Sequence, residues 1–182
     1  SFTTPPCTEA VDWYPLMKAR TLTKLQLDQM QEAMGWSAAN GNYRPPQPLH
    51  NRDVQGCLAS EWYPYQASVW ATQVGKGPAA EACRIGEMQS PIDVPVCSQV
   101  DARPVLELTQ WSNLNTTLTN NGHTVQLTIQ GGMPQMYSSG SMYTLVQCHY
   151  HWGSEHTIGG VQAPMVVHCV HTKDGTDRYG VL

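Results

Sequence analysis

The sequence predicts a mostly β chain with short helices, and three observations carry that expectation. Two runs, Val146–Trp152 with Val, Tyr and Trp and Met165–Val170 with three valines, have the composition of strands. Trp111–Leu127 reads as two alternating strands around the turn Asn120-Asn121-Gly122. One stretch, Leu22–Met34, has helical spacing, with apolar residues at Leu22, Leu25, Leu27, Met30 and Met34.

In chain order, Trp13–Leu16 is expected to be extended. Thr23 and Gln26 have the spacing of a capping box at the start of the helix, and Gly35 can stop it. The run Asn42-Tyr43-Arg44-Pro45-Pro46-Gln47-Pro48-Leu49 excludes helix through its prolines and favours extended or edge structure. After the Trp111–Leu127 pair comes a break at Gly131-Gly132 and then a strand region over Met136–Tyr150. Met165–Val170 is the last strand, and the sequence ends inside another at Val181-Leu182.

With 182 residues the chain is long enough for one domain with a real core. A net charge of -4 without a basic patch excludes a nucleic-acid partner, and no apolar run is long enough to span a bilayer. The start at Ser1, without an initiator Met or a signal-like segment, implies a processed or excerpted chain. Six cysteines and the glycosylation acceptor Asn115-Thr116-Thr117 point to an oxidising compartment: extracellular, secreted or an organelle lumen.

Chemistry concentrates between Gln147 and His171. His149 and His151 lie two apart in a strand, so both imidazoles project from one face. His168 can supply a third if the two strands pair antiparallel. Three neutral histidines that leave one tetrahedral position open form the ligand set of a catalytic zinc site. If His149 stands opposite His168, then Cys148 stands opposite Cys169, and both cysteines point away from the metal. A cross-strand disulfide and a pair of buried thiols both fit there.

The text H-Y-H-W-G-S-E-H-T (His149–Thr157) followed by V-V-H-C-V-H-T, with Q-S-P-I-D-V at Gln89–Val94 and N-N-G-H at Asn120–His123 upstream, closely resembles the α-class carbonic anhydrases. The opening S-F-T-T-P-P-C-T-E-A-V-D-W, the helix and the Pro-rich run through Arg52 also resemble that family, but segments from late in its domain. The order is thus permuted. Residues 1–53 resemble the C-terminal segment of the domain, 54–65 a linker, and 66–182, with Trp62 and Trp70 near its start, the N-terminal and middle part. A window on a tandem array of such repeats and a circular permutation both produce this order; the array is the favoured expectation. Either way the domain is incomplete within the chain, and an adjacent repeat or a partner chain is expected to complete it. The fold implied is a large central, mixed but largely antiparallel twisted sheet.

The resemblance implies reversible hydration of carbon dioxide to bicarbonate and a proton by zinc-bound hydroxide, with Zn2+ held by His149, His151 and His168. Gln147 would support the first ligand, and the backbone of Asn42 the second. Glu155 and Thr3 would orient the hydroxide, and Thr4 would lie at the substrate position. His123 would shuttle the proton, histidine being the side chain type that titrates near neutral pH. Val125, Val170, Val181, Phe2 and Trp13 would line an apolar pocket for carbon dioxide. Cys7 and Cys83 match the family's common extracellular disulfide, with partners in different repeats if the chain is an array window. Cys57 and Cys97 stay unassigned, and His156 and His171 are given structural roles. Val166 departs from the family, which has a Glu there to support the third ligand. That departure, with the interrupted domain, leaves open an alternative: a structural or scaffold repeat in an extracellular or membrane-associated assembly.

Overall fold

A computed structural model describes residues 1–16, 19–34, 41–54, 81–96, 106–109 and 111–182. Gly35, Cys57, Trp62, Trp70, Cys97 and nearly all of the expected linker 54–65 lie outside them. The described residues fall into two compact units. No helix among them is long and apolar enough to cross a membrane.

The first unit comprises Ser1–Val11, Tyr43–Pro104 and Ser154–Ala163. It carries the short helix α2 (Glu81–Ile85) and a parallel pair, β2 (Asp93–Val94) with β8 (Thr157–Ile158). The Q-S-P-I-D-V run supplies its polar core. Gln89 is buried; its Oε1 accepts from the Arg44 guanidinium at 2.9 Å and its Nε2 donates to Glu9 at 2.7 Å. Arg44, 1% exposed, also donates to the carbonyls of Ser90 and Cys83. Burial, partly offset by the charge of Glu155, lowers its pKa to about 10. Asp93 accepts from the Thr157 hydroxyl and the Gly160 amide, tying β2 to the end of β8. Cys7 and Cys83 are joined by a disulfide within this unit. The Pro-rich run is neither helix nor strand: proline offers no amide hydrogen to either ladder.

The second unit comprises Asp12–Asn42, Val105–Gly153 and Pro164–Leu182. Its helix α1 (Lys24–Met34) begins at the predicted capping box: the Thr23 hydroxyl accepts from the Gln26 amide, and the Gln26 side chain accepts from the Thr23 amide at 2.8 Å. One sheet holds the remaining strands: β1 (Val11–Trp13), β3 (Leu106–Leu108), β4 (Asn115–Asn120), β5 (Val125–Gly131), β6 (Gln135–Ser138), β7 (Ser141–Trp152), β9 (Met165–Lys173) and β10 (Tyr179–Val181). Its order is β1-β10-β9-β7-β5-β4. The long β7 is central. β9 flanks it on one side; on the other, β6 pairs with its first part and β5 with its second.

The predicted turn between β4 and β5 is present. Gly122 has φ of 83°, Asn120 Oδ1 accepts from the Gly122 amide, and Asn121 Oδ1 accepts from the amides of His123 and Thr124. The predicted alternation in burial is absent from β4, whose six residues are all exposed. The single strand region expected over Met136–Tyr150 is instead a hairpin, β6 and β7. Ser139 and Gly140 form its two-residue turn with φ of 48° and 77°, the primed geometry that matches strand twist.

The register divides the sheet's side chains between two faces. Gln147, His149, His151, His168, Val170 and Val181 lie on one. Tyr143, Leu145 and His171 lie on the other, then Cys148 and Cys169, then Tyr150 and Trp152. There Trp152 and Val125 form a hydrophobic cluster with Tyr150 and with Leu27 and Met30 of α1. Residue spacing switches at Val146, where a bulge lets Leu145 oppose His171 and Gln147 oppose Val170. At Gly180 a Cβ would come within 2.8 Å of the Met136 methyl and 2.9 Å of the Tyr143 ring, so only glycine fits as the chain stands.

Candidate metal centre

The pairing inferred from the sequence is the pairing observed. His149 opposes His168 across β7 and β9, and Cys148 opposes Cys169. His151 follows His149 on the same face. The three rings converge, with centroids 5.0 Å apart for His149 and His151, 5.3 Å for His149 and His168, and 4.8 Å for His151 and His168. One ligand nitrogen from each ring lies within 4.8 Å of the others. His151 and His168 are buried and His149 half-buried.

Two of the rings have their other nitrogen tied down. His151 Nδ1 stands 2.7 Å from the Asn42 carbonyl oxygen, and His149 Nδ1 stands 2.9 Å from Gln147 Oε1. A carbonyl oxygen only accepts, so each ring carries its proton on Nδ1 and keeps a lone pair on Nε2 for a metal. Burial, reinforced by the neighbouring His151, lowers the His149 pKa to about 3 and keeps it in the neutral form that ligates. Nearby, the Trp13 ring meets His168 edge-on at 4.8 Å. The donor set, its tautomers and its burial all fit a zinc ion.

Asn42 does more than its matched backbone role. Its Nδ2 donates to the carbonyls of His123 (2.9 Å) and Tyr150 (3.1 Å), and its Oδ1 accepts from the Trp152 amide at 2.6 Å. One side chain therefore holds the turn bearing the exposed His123 to the strand bearing two imidazoles. A lone Asn ahead of a Pro-rich run carries no signal of these side-chain bonds.

The candidate pocket residues divide. Val170 and Val181 oppose each other on the histidine face, both buried, and Trp13 abuts His168. Val125, expected to line the pocket, packs instead in the cluster under α1. Its neighbour Gln126 stands opposite His149, and Thr128 stands opposite Gln147. Counting the alternation outward from the Asn-Asn-Gly turn against a β7 partner would have selected Gln126, but the partner's register is not visible in the sequence alone. Thr3, Thr4, Phe2 and Glu155 belong to the first unit. There Thr3 and Glu155 are buried, Thr4 is exposed, and Glu155 Oε1 accepts from the Arg44 amide at 2.8 Å.

Val166 lies opposite His151 and two residues before His168, so its side chain shares the histidine face. Cys148 and Cys169 form a disulfide. Asn115 is exposed at the start of β4. His171 is buried, its Nδ1 3.3 Å from the Gly180 carbonyl oxygen and its ring against Trp111 at 5.3 Å.

Comparison with known proteins identifies relatives of the chain. The chain is similar to alpha carbonic anhydrase 8 of Arabidopsis thaliana, 37% identical over 125 residues that make up 62% of the chain and 32% of that protein. It is similar to carbonic anhydrase 6 of Mus musculus, 39% identical over 99 residues, 47% of the chain and 31% of that protein. It thus spans about a third of the length of these curated relatives. Among solved structures, an alpha-carbonic anhydrase from Thermovibrio ammonificans in complex with the inhibitor sulfanilamide aligns with a TM-score of 0.54 and 30% identity, covering 68% of this chain and 54% of that one. The profile of eukaryotic-type carbonic anhydrases matches residues 1–57 and 67–180, and the chain belongs to that family.

Proposed function

We propose that this protein catalyses the zinc-dependent, reversible hydration of carbon dioxide to bicarbonate and a proton. The observation that carries the reading is the His149, His151 and His168 cluster, with two of its rings fixed as Nδ1–H tautomers. Zinc held by the three rings supplies Lewis-acid activation of water toward carbon dioxide, a chemistry for which carbonic anhydrase is itself the standard example. Gln147 and the Asn42 carbonyl hold two imidazoles in the ligating tautomer. Trp13, Val170 and Val181 give the His168 side an apolar lining. His123, exposed and anchored through its carbonyl by Asn42, carries the product proton to buffer. By family resemblance, Glu155 and Thr3 orient the reacting water and Thr4 meets the substrate.

The order that the resemblance gives to these segments is the reason to read 1–53 and 66–182 as successive repeats of a tandem array; the Cys7–Cys83 bond within this chain is instead what a permuted chain gives. The mass of the native polypeptide tests this: several times that of this chain for an array, equal to it for a permuted chain. The two disulfides among the described residues and the exposed acceptor Asn115 support an oxidising, extracellular or lumenal setting.

Val166 on the histidine face, where the family has Glu, favours a second reading, a scaffold repeat with weak or no activity. Metal analysis and a hydration assay on the intact protein decide between the two. Stoichiometric zinc and hydration, both lost in His149→Ala, are the expected result. An intact protein with no zinc overturns the enzyme.

A further inference from the structure

We infer that the Cys148–Cys169 disulfide is a positioning element of the metal centre, a covalent clamp that fixes the spacing of His149 and His168. The inference rests on the reading of those histidines as zinc ligands. Each cysteine is the immediate chain neighbour of a ligand: Cys148 precedes His149, and Cys169 follows His168. The two pairs are successive rungs of one antiparallel ladder.

The Cys169 amide and carbonyl both bond to Leu182, on the side away from β7. Cys148 and Cys169 therefore form a non-hydrogen-bonded rung, held by no backbone bonds between them. Their Cα atoms stand 4.1 Å apart, the close spacing of such rungs, and the covalent bond supplies the link that the ladder lacks there. Because side chains alternate, the bridge sits on the far face and leaves the histidine face clear. Just before it on β7 is the bulge at Val146, where the ladder is locally disrupted. The clamp thus lies between that irregularity and the ligand rung, where loss of register would separate the two rings.

The bridge is also open to reagents. Cys148 and Cys169 are half-buried, whereas Cys7 and Cys83 are 0% and 7% exposed. A small dithiol reductant can therefore open this bond first. The Cys148–Cys169 S–S bond breaks, two electrons and two protons pass from the dithiol, two thiols form, and the reductant closes to its own cyclic disulfide.

The test uses the full protein, dithiothreitol as reductant and Zn2+ as probe. Thiol alkylation read by mass spectrometry identifies the dose that labels Cys148 and Cys169 but not Cys7 and Cys83. Zinc affinity is then measured by chelator competition on the oxidised form, the reduced form and Cys148→Ser/Cys169→Ser, well below their melting temperatures. The expected result is a roughly tenfold or greater loss of affinity in the last two, in the range seen when groups that orient metal ligands are removed. Gly180→Ala is the control for a merely structural role: its melting temperature falls while its zinc affinity holds. Equal affinity with and without the bridge overturns the clamp, as does a matching loss in Gly180→Ala. If the oxidised protein binds no zinc, the ligand reading fails, and amide exchange judges the clamp separately. Reduction of the metal-free protein then speeds exchange over 147–151 and 167–170 if the clamp holds the register, and unchanged exchange refutes it.

Discussion

Replacing Asn42 by Ala removes three hydrogen bonds at once while leaving the backbone carbonyl that faces His151. The lost contacts are Nδ2 to the His123 carbonyl, Nδ2 to the Tyr150 carbonyl, and the Trp152 amide to Oδ1. Each is worth about 0.5–1.5 kcal/mol net, and the Trp152 amide, in a residue 4% exposed, is left without its acceptor. The expected destabilisation is about 2–4 kcal/mol. Urea unfolding of the metal-free full protein, followed by tryptophan fluorescence, reads it as a lower midpoint at unchanged slope. Asn42→Asp sharpens the test. It keeps an acceptor for Trp152 but loses both donors and sets a carboxylate against two carbonyl oxygens, so it should be no more stable than Asn42→Ala. Zinc affinity should fall several-fold in both, because the His151 partner moves with the loosened segment. A loss below about 0.5 kcal/mol in Asn42→Ala, or an Asp variant as stable as wild type, refutes the assignment of Asn42 as the tie between turn and strand.

Gly180→Ala should destabilise by about 1–3 kcal/mol in thermal melts, since its methyl meets the Met136 side chain and the packed Tyr143 ring under 3 Å. Arg44→Met should cost about 3–5 kcal/mol in urea unfolding, leaving Gln89 and two buried carbonyls without their donor and Glu155 without its nearby positive charge. His156 has its pKa lowered to about 3, by burial first, with the positive charge of Arg52 adding to it. Unfolded, it titrates at the ordinary histidine value of 6.5. Between those values the unfolded state binds the extra proton, so its contribution to stability is full above pH 6.5 and declines as pH falls toward 3. Urea midpoints measured at pH 7.5 and pH 5 should therefore differ more for wild type than for His156→Gln.

The sequence was most legible where local chemistry and long-range pairing agreed. The Thr23/Gln26 box names the start of α1 because its hydrogen bonds are local, and the Asn-Asn-Gly turn names its hairpin for the same reason. The His149/His168 rung was readable because one assumption, antiparallel pairing, fixes every partner along the two strands. Val125 shows the limit. Whether it or Gln126 faces the histidines depends on the register of β5 against β7, which no local pattern encodes. The Ser139-Gly140 turn did carry a signal, a Ser-Gly pair, but strand-like residues on both sides concealed it. The side-chain bonds of Asn42 reach residues 81 to 110 positions away, beyond any motif.

The extra residue at Val146 gives β7 a change of phase. Before it, odd-numbered side chains such as Tyr143 and Leu145 share a side with His171; after it, odd-numbered Gln147, His149 and His151 point to the opposite side. A single strand thereby serves two masters, the Ser139-Gly140 hairpin and the imidazole trio, each with its own parity. A one-residue change of register in the hairpin half can be taken up at that one position before it reaches the rings.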